Sequence, residues 1–126
     1  MFTVIQAEPV SGAAAGIPTS QEIRAGDFVF LSAQFASDEN GQIVSGSIET
    51  ETRLTFANIQ GLLAKAGLAL SDIVQVRCYL ANVDDIAGFN RVYQQTLSQP
   101  YPVRTMLTGC LPCDGRVAVD VVAYAG

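Results

Sequence analysis

The segment Val117-Ala118-Val119-Asp120-Val121-Val122-Ala123 carries apolar side chains on both faces of any strand it forms. Successive side chains of a strand point to opposite faces. Val117, Val119, Val121 and Ala123 therefore share one face, and Ala118 and Val122 share the other with Asp120. Both faces of such a strand demand cover. A fold for this chain has to supply that cover from its own helices or from a second copy of itself.

The remaining elements follow from periodicity and punctuation. Thr3 to Gln6 is a short strand. Ile23 to Arg24 and Phe28 to Phe35 read as strands joined by the turn Ala25-Gly26-Asp27. In the second, Val29, Leu31, Ala33 and Phe35 are expected on one face and Phe28, Phe30, Ser32 and Gln34 on the other. A small-residue loop is expected from Ala13 to Pro18, and a turn at Asp38-Glu39-Asn40-Gly41. Ser47 is placed to cap a helix with Glu49 and Glu51 in its first turn. Phe56, Ile59, Leu63 and Ala66 form one apolar stripe, and Gly67 ends the helix. Ile73 to Leu80 is a strand with Val74, Val76, Cys78 and Leu80 facing inward. A second helix is expected from about Asp85, with Asp84-Asp85 at its start, to Leu97. The two prolines of Gln99-Pro100-Tyr101-Pro102 stop it. Val103 to Thr108 and Arg116 to Tyr124 close the chain as strands. The order predicts an α+β domain: one mixed sheet with both helices on one face. That leaves the other face, including Ala118 and Val122, without a helix, and predicts a homo-oligomer whose sheet faces pack together.

Composition narrows the chemistry. With 126 residues the chain is one domain, 1–126, long enough to bury a core. It contains no histidine, which excludes a Ser-His-Asp triad, a Cys-His pair and a His-ligated zinc site. The net charge of −5 disfavours a nucleic-acid partner bound through a basic face. No apolar run approaches the roughly 20 residues that span a bilayer, and Met1 to Ala15 has no signal-peptide pattern. Three cysteines, an odd number, suit a reducing compartment. The expectation is a cytoplasmic protein with no membrane partner.

Few residues stand out as chemical candidates. Cys110-Leu-Pro-Cys113 is a C-x-x-C, but it opens no helix and no second pair completes a metal shell. It reads as a turn between strands. Arg104 stands in a strand otherwise made of Val, Met, Leu and Thr. There it either snorkels at a strand end or holds a carboxylate with its two-pronged guanidinium. Asp120 sits mid-strand among valines and becomes a general acid or base only if its pKa is raised.

Several segments resemble the RidA (YjgF, L-PSP) family. They are Leu31-Ser32-Ala33-Gln34, Glu51-Thr52-Arg53, Asn58-Ile59, Ala66-Gly67, Asp72-Ile73-Val74, Tyr79-Leu80, Phe89-Asn90-Arg91-Val92-Tyr93, Tyr101-Pro102-Val103-Arg104-Thr105, Leu111-Pro112 and Val119-Asp120-Val121-Val122-Ala123. The resemblance runs from about residue 16 to 124, with the motifs in the family's order. It implies a fold like that of the bacillus-type chorismate mutase and a homotrimer with clefts between subunits. The implied activity is that of a 2-iminobutanoate/2-iminopropanoate deaminase, which hydrolyses small enamine or imine intermediates to 2-keto acids and ammonia without metal or cofactor.

The resemblance also implies site residues. Arg104 matches the arginine that grips the substrate carboxylate, a role a lysine would not fill equally. Ser32 and Ala33 line the cleft, with Ala33 in place of a glycine whose N–H helps bind the carboxylate. Asn90 matches the helix asparagine near the site. Thr19 and Met106 stand where many members have tyrosine and cysteine. The family's water-activating glutamate falls at Ala118, leaving Asp120 as the acid on that strand face. That loss opens a second reading, a non-catalytic or regulatory binder of small carboxylates; a third is a divergent catabolic deaminase acting on an aminomuconate-like enamine.

Overall fold

A computed structural model describes residues 1–7 and 17–126. Its strands are β1 (Thr3–Gln6), β2 (Glu22–Ala25), β3 (Phe28–Leu31), β4 (Gln34–Phe35), β5 (Ile73–Leu80), β6 (Val103–Thr108) and β7 (Val117–Tyr124). Its helices are α1 (Ile48–Lys65) and α2 (Ile86–Thr96), with short 3₁₀ turns at Leu70–Asp72 and Val83–Asp85. The small-residue loop expected at Ala13 to Pro18 lies, as far as Gly16, outside the described residues.

The strand apolar on both faces sits inside the sheet. The order is β1-β2-β3-β7-β5-β6, with β4 also pairing β7. The sheet is mixed, since β5 and β6 run parallel and the other neighbours antiparallel. Both helices cover one face. There Phe56, Ile59 and Leu63 of α1 and Phe89 and Tyr93 of α2 join Val29, Val76, Cys78, Leu80, Val117, Val119 and Val121 in one core.

The helix ends form as their residues dictate. The Ser47 hydroxyl accepts the Thr50 N–H at 3.1 Å, satisfying one of the donors a helix start leaves free. At the other end Gly67 takes φ +74°, and the Leu68 N–H returns to the Leu63 carbonyl. A side chain at Gly67 would resist that left-handed turn. The second helix starts one residue later than expected and ends one earlier, because Asn82 caps a 3₁₀ turn over Val83–Asp85.

Two strands depart from simple alternation. Phe28 to Phe35 is not continuous. The pairing with β7 steps by one residue between Phe30↔Val122 and Gln34↔Val119. A one-residue step moves every later side chain to the other face. Gln34, expected beside Phe28 and Phe30, is instead buried toward the helices, and Phe35 faces away from them with Ala118. The buried Gln34 amide donates to Gln21 Oε1 and to the Ser32 carbonyl, each at 3.0 Å. In β5 the register with β7 shifts between Ile73 and Gln75. Ile73 therefore occupies the core, and Val74, expected inward, is exposed.

The face without helices stays open. Val4, Phe28, Phe30, Val103, Leu107 and Tyr124 are exposed on it. Phe28 and Tyr124 pair at 5.4 Å between ring centroids.

On the helix-covered face of β2 lies a buried carboxyl. Glu22 is fully buried, and neither of its side-chain oxygens has a partner among the described residues. Burial pushes its pKa from 4.5 up to about 6, with the Lys65 ammonium pulling the other way. The folded state thus holds a proton that the unfolded chain has released between pH 4.5 and about 6. Acid favours folding across that window, so the stabilisation is complete below pH 4.5 and lost as pH rises through 6. The shift corresponds to about 2 kcal/mol. Denaturant melts of wild type and Glu22→Gln should show a stability difference that favours the variant increasingly as pH rises through this window. A difference flat from pH 4.5 to 7 would contradict it.

Candidate functional site

Arg104 is the second residue of the edge strand β6 and pairs in register with Val76, so its side chain rises on the helix face. There α2 presents two rings to it. The Arg104 guanidinium carbon lies 4.9 Å from the Tyr93 ring centroid and 5.8 Å from that of Phe89. Arg24, Arg77, Arg91 and Arg116 each pair with a carboxylate. No described carboxylate pairs with Arg104. An arginine on aromatic faces without an anion keeps its N–H donors for a ligand.

That ligand has room. A cleft of about 330 Å³ is lined by Asn90, Tyr93, Gln94, Tyr101, Pro102 and Arg104. Asn90 Oδ1 and the Tyr93 hydroxyl are buried without a partner among the described residues. Burial pushes the Tyr93 phenol up to about 12, so it stays neutral at physiological pH and offers Arg104 no counter-anion. Burial likewise raises the Cys78 thiol to about 12, which keeps it an unreactive thiol beneath the site. Met106 follows Arg104 on the same face of β6 and packs on the core.

Thr19, Ser32 and Ala33 form a second group, at the register step between β3 and β4. The Ser32 hydroxyl donates to the Ser20 carbonyl at 2.6 Å and lies 3.1 Å from Thr19 Oγ1. The Ser32 N–H donates to the Gln21 carbonyl. Strands β7 and β5 separate this group from β6, a distance of about 14 Å at ordinary strand spacing. A three- or four-carbon ligand cannot touch both groups in one chain.

Asp120 belongs to neither. It lies on the open face, opposite Arg104, in a row with Arg77. Its Oδ1 accepts from Arg77 Nε at 2.8 Å and its Oδ2 from the Tyr79 hydroxyl at 2.9 Å. Burial, reinforced by that hydrogen bond, raises the Tyr79 pKa. Ala118 neighbours Asp120 on this face and is buried. Cys110 and Cys113 lie on the β6–β7 connection as free thiols.

Sequence reading found Arg104 and Asn90 but not the aromatic side of the cleft. Phe89 and Tyr93 stand four apart on α2 and so share a helix face, a spacing that reads equally well as core. Only the sheet edge above them shows that one side of this pair meets the cleft.

Fold and cleft together define a chorismate-mutase-like α+β protein with an arginine at the sheet edge receptive to an anion. The endoribonuclease L-PSP family profile matches residues 11–125. The chain therefore belongs to that family, the RidA/YjgF family. A RutC family protein of Pyrococcus horikoshii is 36% identical over 109 residues, covering 85% of this chain and 86% of that protein. A 2-iminobutanoate/2-iminopropanoate deaminase of Capra hircus is 31% identical over 111 residues, covering 86% and 81%. The crystal structure of RidA from the Antarctic bacterium Psychrobacter superposes with a TM-score of 0.83 at 30% identity, covering 94% of this chain and 98% of that one. No helix among the described residues is long and apolar enough to cross a membrane.

Proposed function

We propose that this protein is a hydrolase of small 2-imino acids, a 2-iminobutanoate/2-iminopropanoate deaminase working as a homotrimer. The observation that carries the reading is Arg104, held over two rings at a cleft to which no described residue contributes a carboxylate. Its fork suits the substrate carboxylate. Water adds to the imine carbon, the carbon–nitrogen bond breaks, and ammonia leaves with the nitrogen's electron pair, giving the 2-keto acid. Binding holds the imine in one orientation for that attack. Packing of the open faces in a trimer would cover Phe28, Phe30 and Val122. It would also let Thr19, Ser32 and Ala33 of one copy approach the Arg104 cleft of the next, resolving their separation within one chain. Free thiols at Cys78, Cys110 and Cys113 support a reducing compartment, for which the cytoplasm is the proposed location.

One observation favours a second reading, a non-catalytic binder of small carboxylates. Asp120, the acid assigned to proton transfer, has both oxygens engaged by Arg77 and Tyr79, and Ala118 beside it carries no acid. Losing a general acid or base typically lowers a rate by 10²–10⁴-fold. The two readings separate in one assay. A threonine dehydratase generates the imine, and its decay is followed with wild type, Arg104→Ala and Asp120→Asn. Wild type should accelerate decay, Arg104→Ala should not, and Asp120→Asn tests the proton-transfer role. Binding of 2-oxobutanoate without acceleration by wild type would establish the binder instead. A solution mass of one subunit would exclude the trimer.

A further inference from the structure

We infer that Tyr93 is the positioning residue of the cleft: its ring face, assisted by Phe89, fixes where the Arg104 fork points and so sets how tightly a carboxylate is held. The inference rests on the proposed role of Arg104 in gripping a carboxylate. Its basis is geometric. Arg104 grows from an edge strand with open solvent on one side, and a long exposed side chain there is ordinarily free to sample several rotamers. Its only described partners are the two rings, at 4.9 Å and 5.8 Å.

Those rings cannot yield. Tyr93 is 4% exposed and packs against Phe56 at 6.0 Å, Phe89 at 5.7 Å and Tyr101 at 6.1 Å between centroids. Phe56 and Phe89 are themselves buried. The four rings make a rigid shelf from α1 and α2 to the cleft wall. Attraction to a ring face engages the flat side of a guanidinium and leaves its in-plane donors unspent. A carboxylate partner in the same place would have consumed them. The shelf thus orders the arginine in advance without competing with the ligand, which lowers the ordering cost of binding. The Tyr93 hydroxyl also lacks a partner among the described residues, so the ring and the hydroxyl must be told apart by experiment.

The test compares binding of 2-oxobutanoate with that of its neutral amide, 2-oxobutanamide, by calorimetry. Wild type should prefer the carboxylate, and Arg104→Ala should lose the preference. Tyr93→Leu should weaken carboxylate binding about five- to thirtyfold, the range a cation–π contact spans, with amide binding little changed. Tyr93→Phe, which keeps the ring, should retain the preference. A merely structural role would weaken both ligands alike. Should Tyr93→Leu not fold, Tyr93→Met fills the site with a flexible side chain and serves the same comparison. Preference kept in Tyr93→Leu overturns this inference alone. Preference lost equally in Tyr93→Phe also overturns it, by assigning the effect to the hydroxyl. Preference unchanged in Arg104→Ala overturns the carboxylate reading of the cleft, and this inference with it.

Discussion

Arg104→Ala should lower kcat/KM for a 2-imino acid by about a hundredfold or more. Each hydrogen bond from a charged donor to a charged acceptor is worth about 1.5–3 kcal/mol, and a guanidinium fork makes two. The loss should fall mainly on KM, because the carboxylate is gripped before and during the reaction alike. Arg104→Lys keeps the charge but loses the planar fork and its stacking on Tyr93. It should recover only part of the activity. Stability should change by less than about 1 kcal/mol in either variant, since Arg104 is exposed and its contacts within the chain are ring faces. Steady-state kinetics and a thermal melt on the same samples check both halves. Unchanged kcat/KM in Arg104→Ala would remove the cleft from the mechanism.

Glu51→Ala should destabilise the fold by about 3 kcal/mol, the cost of leaving two backbone donors without their acceptor. The Glu51 side chain is 2% exposed in the first turn of α1. Its Oε1 accepts the Arg116 N–H at 2.9 Å, and its Oε2 accepts the Gly46 N–H at 3.2 Å. The Arg116 guanidinium lies 3.7 Å from Oε2 and also donates to the Gly46 carbonyl and to Asp85. One carboxylate therefore ties the segment before α1 to the start of β7. Alanine strands two backbone donors at once and leaves Arg116 with Asp85 as its remaining carboxylate. For a chain of this size the melting temperature should fall by about 10 °C. Glu51→Gln retains an acceptor and should lose about half as much. A fall under about 2 °C in Glu51→Ala would show that water replaces these bonds without penalty.

The two predictions differ in what sequence reading could anticipate. Arg104 declares itself, because an arginine in a strand of Val, Met, Leu and Thr has no local reason to be there. Glu51 does not. Beside Glu49 it reads as an exposed charge at a helix start, yet Glu49 meets Arg91 in an exposed pair while Glu51 is enclosed. Its burial depends on β7, 65 residues away, and no local pattern encodes that distance. Glu22 is similar: it is buried opposite Leu31 on the helix-covered face, and nothing in Gln21-Glu22-Ile23 signals a buried carboxyl.

The sequence by itself determined the elements and their layering. Stripes of period 3.6 and 2.0, the Ser47 cap, Gly67 and the proline pair are local devices. A strand apolar on both faces can satisfy itself only inside a sheet with both sides covered. The tertiary structure alone decided the register steps after Leu31 and Ile73, which side Gln34 and Val74 face, and which candidates meet. It set Arg104 and Asn90 on one cleft, Thr19, Ser32 and Ala33 across two intervening strands, and Asp120 on the opposite face. The physical reason is that alternation fixes a side chain's face only while pairing is continuous. A single inserted residue inverts it, and lateral strand order comes from long-range hydrogen bonds that no short segment contains.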